Sequence, residues 1–329
     1  MKDFMLVLTP FLILLILAVF GFAGCTTFGE GDSPAPDKDK DPDPAPDPDP
    51  DPKPVTPPPV PPVKAAADAY QDLVQNNTPG FAAFWPLNET GGTVANVVGT
   101  LSPAANGLYV PPGAAGASAY AVGQKGVLNH KDSKDFAAEL SGTAGWIEVQ
   151  FQGQLNPVKT VLGFSVELWV KPYQSGGGQT QVVISSHRFD SAAVQQGYEI
   201  ALVKGPTLPN QMIRARVFDA GQMTEMTVQP LQGDPAEWRH IVLTYEQSAT
   251  VPVCSLQARI AGSPNIFKDG PHGAKYDAVV SAKPSTLRFG AGHATGQVAT
   301  NFFSGRIDCV AFYNAVLSQP DIDKHFAAF

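Results

Sequence analysis

From Phe81 onwards the chain consists of short runs in which apolar and polar residues alternate. In FSVELWVK (164–171) every second residue is apolar, and the residues between them, which include Glu167 and Trp169, fall on the opposite face of a strand. Gly, Pro, Asn and Asp separate such runs. The same period of two predicts further strands over 146–152, 181–185, 198–203, 212–218, 238–245, 255–260, 286–289 and 306–313. At least nine strands predict an all-β fold of two packed sheets.

Two short helices are predicted at the ends of this region. The segment KAAADAYQDLVQNN (64–77) has apolar residues at helical spacing and is followed by Pro79 and Gly80, which end a helix. Residues 64–80 are therefore a helix and a connector. Near the other end, Ser318 precedes Asp321 by three residues, a shortened capping box that predicts a closing helix through Phe326.

The segment before the first helix differs in composition. Residues 32–63 hold 14 of the 31 prolines, eight Asp, three Lys and no Glu, so this segment cannot form a core. Alternating Pro and Asp favour extended polyproline II, which predicts a disordered, acidic stalk that spans on the order of 100 Å. The alternative is that the repeat binds calcium or a proline-recognising domain. Evenly spaced Asp on an extended chain does not converge on one ion.

Most of the net charge of −8 belongs to this stalk, so the region after it is close to neutral. It has no basic surplus of the kind that attracts nucleic acid or an anionic membrane surface. We therefore expect no nucleic-acid partner.

The first residues predict export. Residues 5–22 are apolar and uncharged, and Ala23 and Gly24 precede Cys25, which resembles the site cleaved by lipoprotein signal peptidase. The prediction is a signal peptide over 1–24, a lipid on Cys25 that attaches the chain to a membrane, and the stalk over 25–63. An uncleaved helical anchor is the alternative. Both place the remainder in the cell envelope outside the cytoplasm, and Thr26 favours the outer membrane if the host has one.

Five segments in the region 81–329 resemble one known family in its order. FAAFWPLNETGGTVANVVG, FSVELWVKP, GYEIAL, EWRHIVLTYE and FFSGRIDCVAFYNAVLSQPDI look like successive signatures of laminin-G-like domains in the concanavalin A-like lectin and glucanase superfamily. The resemblance implies a two-sheet antiparallel jelly roll. It also implies that the domain binds glycans or other surface ligands.

Enzymatic motifs are missing from the sequence. Retaining glycoside hydrolysis needs two carboxyl groups about 5 to 5.5 Å apart, and the Glu-x-Asp-x-x-Glu strand of glucanase relatives does not occur here. There is no Gly-x-Ser-x-Gly turn, and the six histidines lack metal-ligand spacing. We expect His240 to be a packed, hydrogen-bonded histidine. The sequence therefore predicts a protein that is not an enzyme.

The resemblance also implies a structural calcium ion. Asp308 lies on the last predicted strand, where relatives place an Asp that binds calcium, and Glu89 lies in the first signature, from which it can approach. The alternative is that Asp308 makes a structural hydrogen bond or salt bridge and that Glu89 caps a turn. No cofactor is otherwise required.

Cys254 and Cys309 remain once Cys25 is lipidated. Export permits a disulfide between a central strand and the last one, provided that their Cα atoms lie within about 7 Å. Two buried free thiols are the alternative.

Candidate ligand contacts come from two places. Glu167 and Trp169 share the outward face of their strand, and the following loop offers His187, Arg188 and Asp190. Such residues provide the stacking and hydrogen bonding that sugars require, although Trp169 could equally be covered and serve packing. The sequence thus predicts a surface-displayed binding module for a glycan or for adhesion. The alternatives are a structural envelope component or protein-binding lipoprotein and, further off, a glycoside hydrolase or polysaccharide lyase.

Overall fold

The computed structural model describes residues 64–111, 119–155, 163–173, 180–191, 194–205, 211–219, 222–228, 237–247, 251–274 and 285–329. The predicted signal peptide (1–24), Cys25 and the stalk (25–63) lie outside the described residues. Everything described belongs to one compact unit, Pro61–Phe329. Both of its hydrophobic clusters lie within 64–329, so this fragment contains its own core.

Two helices and 19 strands make up the described part of the chain. The helices are α1 (Ala66–Asn76) and α2 (Gln319–Ala328). The strands are β1 (Phe81–Trp85), β2 (Val94–Ala95), β3 (Gly107–Val110), β4 (Tyr120–Lys125), β5 (Phe136–Ser141), β6 (Trp146–Val149), β7 (Gly163–Pro172), β8 (Gln181–Ser185), β9 (Arg188–Ser191), β10 (Val194–Lys204), β11 (Gln211–Asp219), β12 (Gln222–Val228), β13 (Arg239–Glu246), β14 (Val253–Ile260), β15 (Ile266–Gly273), β16 (Leu287–Phe289), β17 (Gly292–His293), β18 (Ala299–Thr300) and β19 (Ser304–Tyr313).

The strands form two large antiparallel sheets. The eight-stranded sheet has the order β15-β14-β13-β7-β19-β5-β4, with β1 paired to β19. The nine-stranded sheet has the order β12-β11-β10-β8-β16-β6-β3-β2, with β9 paired to β10. A small hairpin, β17–β18, stands apart from both. This arrangement confirms the predicted two-sheet antiparallel jelly roll.

The main core fills the space between the sheets. Strand β7 shows the pattern, because Phe164, Val166, Leu168 and Val170 all belong to the cluster that the two sheets enclose. Aromatic rings such as Trp85 and Phe289, in edge-to-face contact at 5.2 Å, fill the centre of this cluster. The alternation in the sequence therefore assigned the inner face of β7 correctly.

A second cluster covers the outer face of the eight-stranded sheet. It includes Tyr70 and Val74 of α1 and Ile322 of α2, which pack on sheet residues such as Trp169 and Val242. Both predicted helices are confirmed. Ser318 caps α2 by accepting a hydrogen bond from the Asp321 backbone N–H. Neither described helix is long and apolar enough to cross a membrane.

Candidate ligand-binding groove

An open groove of about 590 Å³ lies on the outer face of the nine-stranded sheet. Its floor comes from β10, β11 and β12. Glu199 and Arg216 of the floor are directly opposed, and Glu225 is opposed to Arg216 beside the groove, so all three project from the same face. The next row along the sheet, Ile200, Ala215 and Met226, points the other way into the core. The strand period thus separates a charged floor from an apolar interior. The residues that line the groove are Thr180, His187, Gln195, Glu199, Arg214, Arg216, Phe218, Met223, His293, Ala294, Thr295, Thr300 and Asn301.

Two arginines and two glutamates form an ion-pair network on this face of the sheet. Arg216 Nη2 lies 2.7 Å from Glu225 Oε2, and Arg214 lies 3.5 Å from Glu199 Oε1 and 3.9 Å from Glu225 Oε2. Burial raises the pKa of Glu199, and the charges of Arg214 and Arg216 partly oppose this effect. The network is accessible to solvent, because 39% of the Glu225 side chain and 27% of the Arg216 side chain remain exposed. Charged hydrogen-bonding groups are therefore presented to solvent.

Two histidines border the floor as neutral hydrogen-bonding groups. The His187 ring stacks on Phe218 with centroids 3.8 Å apart, and its Nε2 lies 3.2 Å from Gln195 Oε1. Burial lowers the pKa of His187 to about 4. Burial also lowers the pKa of His293, to about 2, and the nearby Arg288 charge adds to the effect. Near neutral pH both rings are uncharged, so each offers one donor and one acceptor.

The hairpin β17–β18 forms one wall of the groove and is fixed by Arg288 of β16. Its guanidinium donates to Gly292 O at 3.2 Å and to Gln297 O at 2.8 Å. On the far side the same guanidinium donates to Glu148 Oε2 at 3.1 Å and lies over the Trp146 ring. Arg288 therefore links the wall to the sheet. This residue was not among those that the sequence singled out.

The predicted ligand residues are divided between the two sides of the molecule. His187 lines the groove, whereas Arg188 is half-buried on β9 and does not belong to the lining. The side chain of Asp190 lies outside the described residues. Arg214, Arg216 and Glu225 were missed, although the segment MIRARVF carries a signal for them. It alternates arginine with apolar residues and so places both guanidinium groups on one exposed face.

Glu167 and Trp169 do not reach a ligand surface. Both are completely buried under α1 and α2, on the opposite side of the sandwich from the groove. Trp169 donates from Nε1 to the Tyr70 hydroxyl at 3.2 Å and packs on Phe326 and Phe329. The prediction that these two residues contact a ligand is corrected, because the helices cover the strand face that alternation alone assigned to the outside.

Glu167 is the centre of a buried polar network. Its carboxylate lies 2.5 Å from His240 Nε2 and 2.8 Å from His325 Nδ1, and it accepts from the Tyr313 hydroxyl at 2.7 Å. Burial opposes ionisation, but the His325 charge and the two histidine hydrogen bonds hold the pKa of Glu167 well below its usual value. Burial tends to lower the pKa of His325, yet Glu167 raises it overall. His240 is packed and hydrogen-bonded, as predicted.

Asp308 has a different neighbour from the one predicted. Asp308, Asp135 and Cys309 have potential ligand atoms within 4.8 Å of one another, and all three residues are buried. Glu89 is not part of this group, since it accepts from Asn96 N at 2.7 Å and from Tyr109 Oη at 3.1 Å. The structure thus groups Asp308 with Asp135, and the predicted calcium site of Glu89 and Asp308 stays a prediction.

The two aspartates lack a full set of partners. Asp308 Oδ2 accepts from Val127 N at 2.8 Å and Asp135 Oδ2 from Leu128 N at 2.6 Å, but the Oδ1 atom of each is buried without a hydrogen-bond partner. Burial raises the pKa of both carboxyls, that of Asp135 to about 7, and the Asp135 charge raises that of Asp308 further. Two unpartnered carboxylate oxygens suit a hard cation such as calcium; the Cys309 thiol does not.

Cys254 and Cys309 are free, buried thiols, so the disulfide alternative is wrong. Cys254 lies on β14 and Cys309 on β19, with β13 and β7 between them. Three strand spacings of about 4.8 Å set a sideways separation of about 14 Å, so the two residues are at least twice as far apart as a disulfide allows. They also face different clusters, one between the sheets and one under the helices.

The chain was compared with known protein families and with known proteins. A family model described as the concanavalin A-like lectin/glucanases superfamily matches residues 141–323. No curated protein matches the chain in sequence.

Several solved structures are similar to this chain at low sequence identity. The botulinum neurotoxin serotype C1 binding domain is 11% identical with a TM-score of 0.48, over 77% of this chain and 53% of that one. The binding domain of Paraclostridial Mosquitocidal Protein 1 is 14% identical with a TM-score of 0.47, over 76% and 52%. The Ruminococcus gnavus IT-sialidase CBM40 bound to α2,3-sialyllactose is 13% identical with a TM-score of 0.42, over 58% and 94%. The chain thus spans about half the length of the toxin domains.

Proposed function

This chain belongs to the concanavalin A-like lectin/glucanase superfamily, and we propose that the groove on its nine-stranded sheet binds a glycan without cleaving it. One observation carries the proposal. The groove presents the partly exposed Arg216, which is ion-paired to the adjacent Glu225, beside neutral His187 and the apolar Met223, whose exposure is 46%.

Sugars need this mixture of groups. Each hydroxyl of a saccharide can donate and accept hydrogen bonds, and charged partners form the stronger ones. Arg216 offers donors and Glu199 offers acceptors, while the Met223 side chain offers an apolar surface for the C–H face of a sugar ring. The volume of about 590 Å³ is in the range of small-molecule sites.

The geometry argues against hydrolysis in the same groove. Glu199 lines the groove and Glu225 lies beside it on the same face of the sheet, and the register places Arg216 directly between them. An inverting glycosidase needs the space between its carboxyl groups for the sugar and a water molecule. Here a guanidinium ion-paired to Glu225 fills that space, which favours a non-catalytic role.

A glycan array on fragment 64–329, followed by calorimetry, tests the proposal. We expect saturable binding of a defined glycan that weakens at least tenfold in Arg216→Ala. Arg306→Ala is the matched control, because Arg306 makes a similar ion pair with Glu139 on the other sheet. Equal loss in both variants would mean that the groove is not the site.

Two other results would favour the alternatives. If no glycan binds, a protein ligand or a structural role in the envelope becomes the better account. If the glycan is shortened during incubation and Glu199→Gln abolishes the shortening, the chain is a glycoside hydrolase or lyase and our proposal fails.

We further propose that a lipid on Cys25 attaches the module to the outside of a bacterial membrane, with the Pro and Asp-rich stalk as a spacer. The support is the sequence around Cys25. Mass spectrometry of the mature chain is expected to find a diacylglycerol-modified Cys25 at its N terminus. Cys25→Ala is expected to release the protein from the membrane fraction, and an unmodified Cys25 would contradict the proposal.

We propose, finally, that Asp135 and Asp308 hold a structural calcium ion. The support is their two buried, unpartnered Oδ1 atoms. Calcium is expected to raise the Tm of fragment 64–329 by several degrees, and this gain is expected to vanish in Asp308→Asn. If calcium has no effect and Asp308→Asn alone raises the Tm at pH 8, the pair holds a proton rather than an ion.

A further inference from the structure

A second cavity lies on the opposite side of the sandwich from the groove. It measures about 240 Å³ and is enclosed by the outer faces of β13, β14 and β15 and by the beginning of α2. Its polar groups come from Thr244, Ser255, Gln257 and Lys268, and its apolar wall from Leu317 and Ile322. We call this cavity the α2 cleft.

Strand register brings the polar groups together. Gln257 is directly opposed to Val242 on one side and to Lys268 on the other, while Ser255 is opposed to Thr244. Opposed residues on antiparallel strands project from the same face, so these side chains form two adjacent rows. The intervening residues of β14, such as Leu256 and Ala258, belong to the core between the sheets. The polar rows are therefore a property of the outer face.

Gln257 is the unusual member of this set. It is only 6% exposed, yet its Nε2 has no hydrogen-bond partner among the residues that the structure describes. A buried amide without a partner costs about 1–3 kcal/mol, so each such group calls for an explanation. Gln257 lines the cleft, which places an amide without a protein partner at the wall of this cavity.

The charges around the cleft favour a negatively charged ligand. Lys268 brings a positive charge to the cleft, where it donates a hydrogen bond to Gln319 Oε1. None of the described residues that line the cleft carries a carboxylate. The nearest acids on α2 are already paired, Asp323 with Arg259 and Asp321 with Ser318 and Lys324. The N terminus of the ten-residue helix α2 adds a partial positive charge.

We propose that the α2 cleft binds a small oxyanion group, namely a carboxylate, sulfate or phosphate. The Gln257 amide and the Ser255 and Thr244 hydroxyls donate hydrogen bonds to its oxygens, and Lys268 balances its charge. The volume fits an ion or one acidic sugar residue rather than an oligosaccharide. This site is separate from the groove and does not depend on the glycan-binding proposal.

Nuclear magnetic resonance of fragment 64–329 tests the site directly. The probes are sodium sulfate and sodium phosphate as free ions and methyl glucuronide as an acidic sugar, all at constant ionic strength, with methyl glucoside as the uncharged control. We expect saturable shifts of the Gln257 side-chain amide and of backbone amides in β14, β15 and the start of α2. Tighter binding of the glucuronide than of the free ions would identify the acidic sugar as the ligand.

Two variants make the test specific. Gln257→Leu keeps the size of the side chain, and it is expected to weaken binding at least tenfold while leaving the Tm unchanged or higher, since it removes the unpartnered amide. Lys268→Met is expected to weaken binding of the charged probes severalfold. Arg216→Ala in the groove is the control and is expected to bind all probes normally.

Three outcomes would overturn the proposal. One is the absence of saturable shifts at Gln257 with every probe. Another is unchanged affinity in Gln257→Leu. The last is equal binding of methyl glucoside and methyl glucuronide, which would show that the cleft does not recognise charge.

Discussion

The two outer faces of the sandwich use the same kinds of residue in opposite ways. Under the helices, Glu167 is completely buried and each of its oxygens has a partner, including His240 and His325. Beside the groove, Glu225 is paired with Arg216 and has 39% of its side chain exposed. A fold depends on both members of a buried ion pair, because removing one partner leaves an uncompensated buried charge. An exposed pair remains available to a ligand.

The largest expected effect comes from removing the acid on the covered face. Glu167→Ala is expected to lower the free energy of unfolding by about 3–5 kcal/mol, since it leaves His240 and His325 buried without their acceptor. Glu225→Ala, the matched change beside the groove, is expected to cost less than about 1 kcal/mol. Urea unfolding of fragment 64–329 measures both. If both variants lost similar free energy of unfolding, the buried and the exposed glutamate would contribute equally to stability, and the contrast between the two faces would fail.

An intermediate effect is expected where a buried arginine supports the open face. Arg288→Met removes hydrogen bonds to the carbonyls of Gly292 and Gln297, which is expected to cost about 1.5–3 kcal/mol. It is also expected to weaken glycan binding at least tenfold, because the hairpin β17–β18, which forms the groove wall, loses its link to the sheet. Arg306→Met on the other sheet is the control, with a loss of stability and unchanged binding. Unchanged binding in Arg288→Met would show that the wall has no part in the site.

The smallest effects are expected in the pH dependence of stability. On the covered face and in the groove, stability should change with pH in opposite directions. The lowered pKa of Glu167 gives stability that is present above its usual pKa of 4.5 and is lost as the pH falls. The raised pKa of His325 gives stability that is present below 6.5 and is lost as the pH rises. The difference in stability between the wild type and Glu167→Gln is therefore expected to be greatest between about pH 4.5 and 6.5.

The groove histidine is expected to behave in the opposite way. The pKa of His187 is lowered to about 4, so its contribution is present above 6.5 and is lost as the pH falls towards 4. His187→Gln is expected to reduce this loss. Stability measured by urea unfolding from pH 4 to 8 tests both faces. A wild-type advantage over Glu167→Gln that grows steadily above pH 6.5 would contradict the assignment.

The sequence predicted the two sheets and both helices because these depend on local patterns. Alternation in β7 placed Phe164 and Val166 in the core correctly. It also placed Glu167 and Trp169 on the outer face, which is correct for the strand. It could not show that this face is covered, because the cover comes from α1 and α2, which are distant in sequence.

The sites were predicted less well for a similar reason. His187 was found because its loop is rich in polar residues, and it does line the groove. Asp135 was not predicted as a neighbour of Asp308, since the turn that carries Asp135 meets β19 only in the folded sheet. Gln257 gives no signal in sequence at all. Its significance is a missing hydrogen bond, and only a structure reveals one.

The contact between the two helices has a practical consequence. His325 of α2 lies 2.8 Å from Thr78, just after α1, and its ring meets Tyr70 edge-on, so the chain enters and leaves the described domain on one side. The groove is on the other side. A tag, a surface linkage or a fused partner at either terminus should therefore leave the groove facing the solution, and a circular permutant that joins residue 329 to residue 64 should need only a short linker.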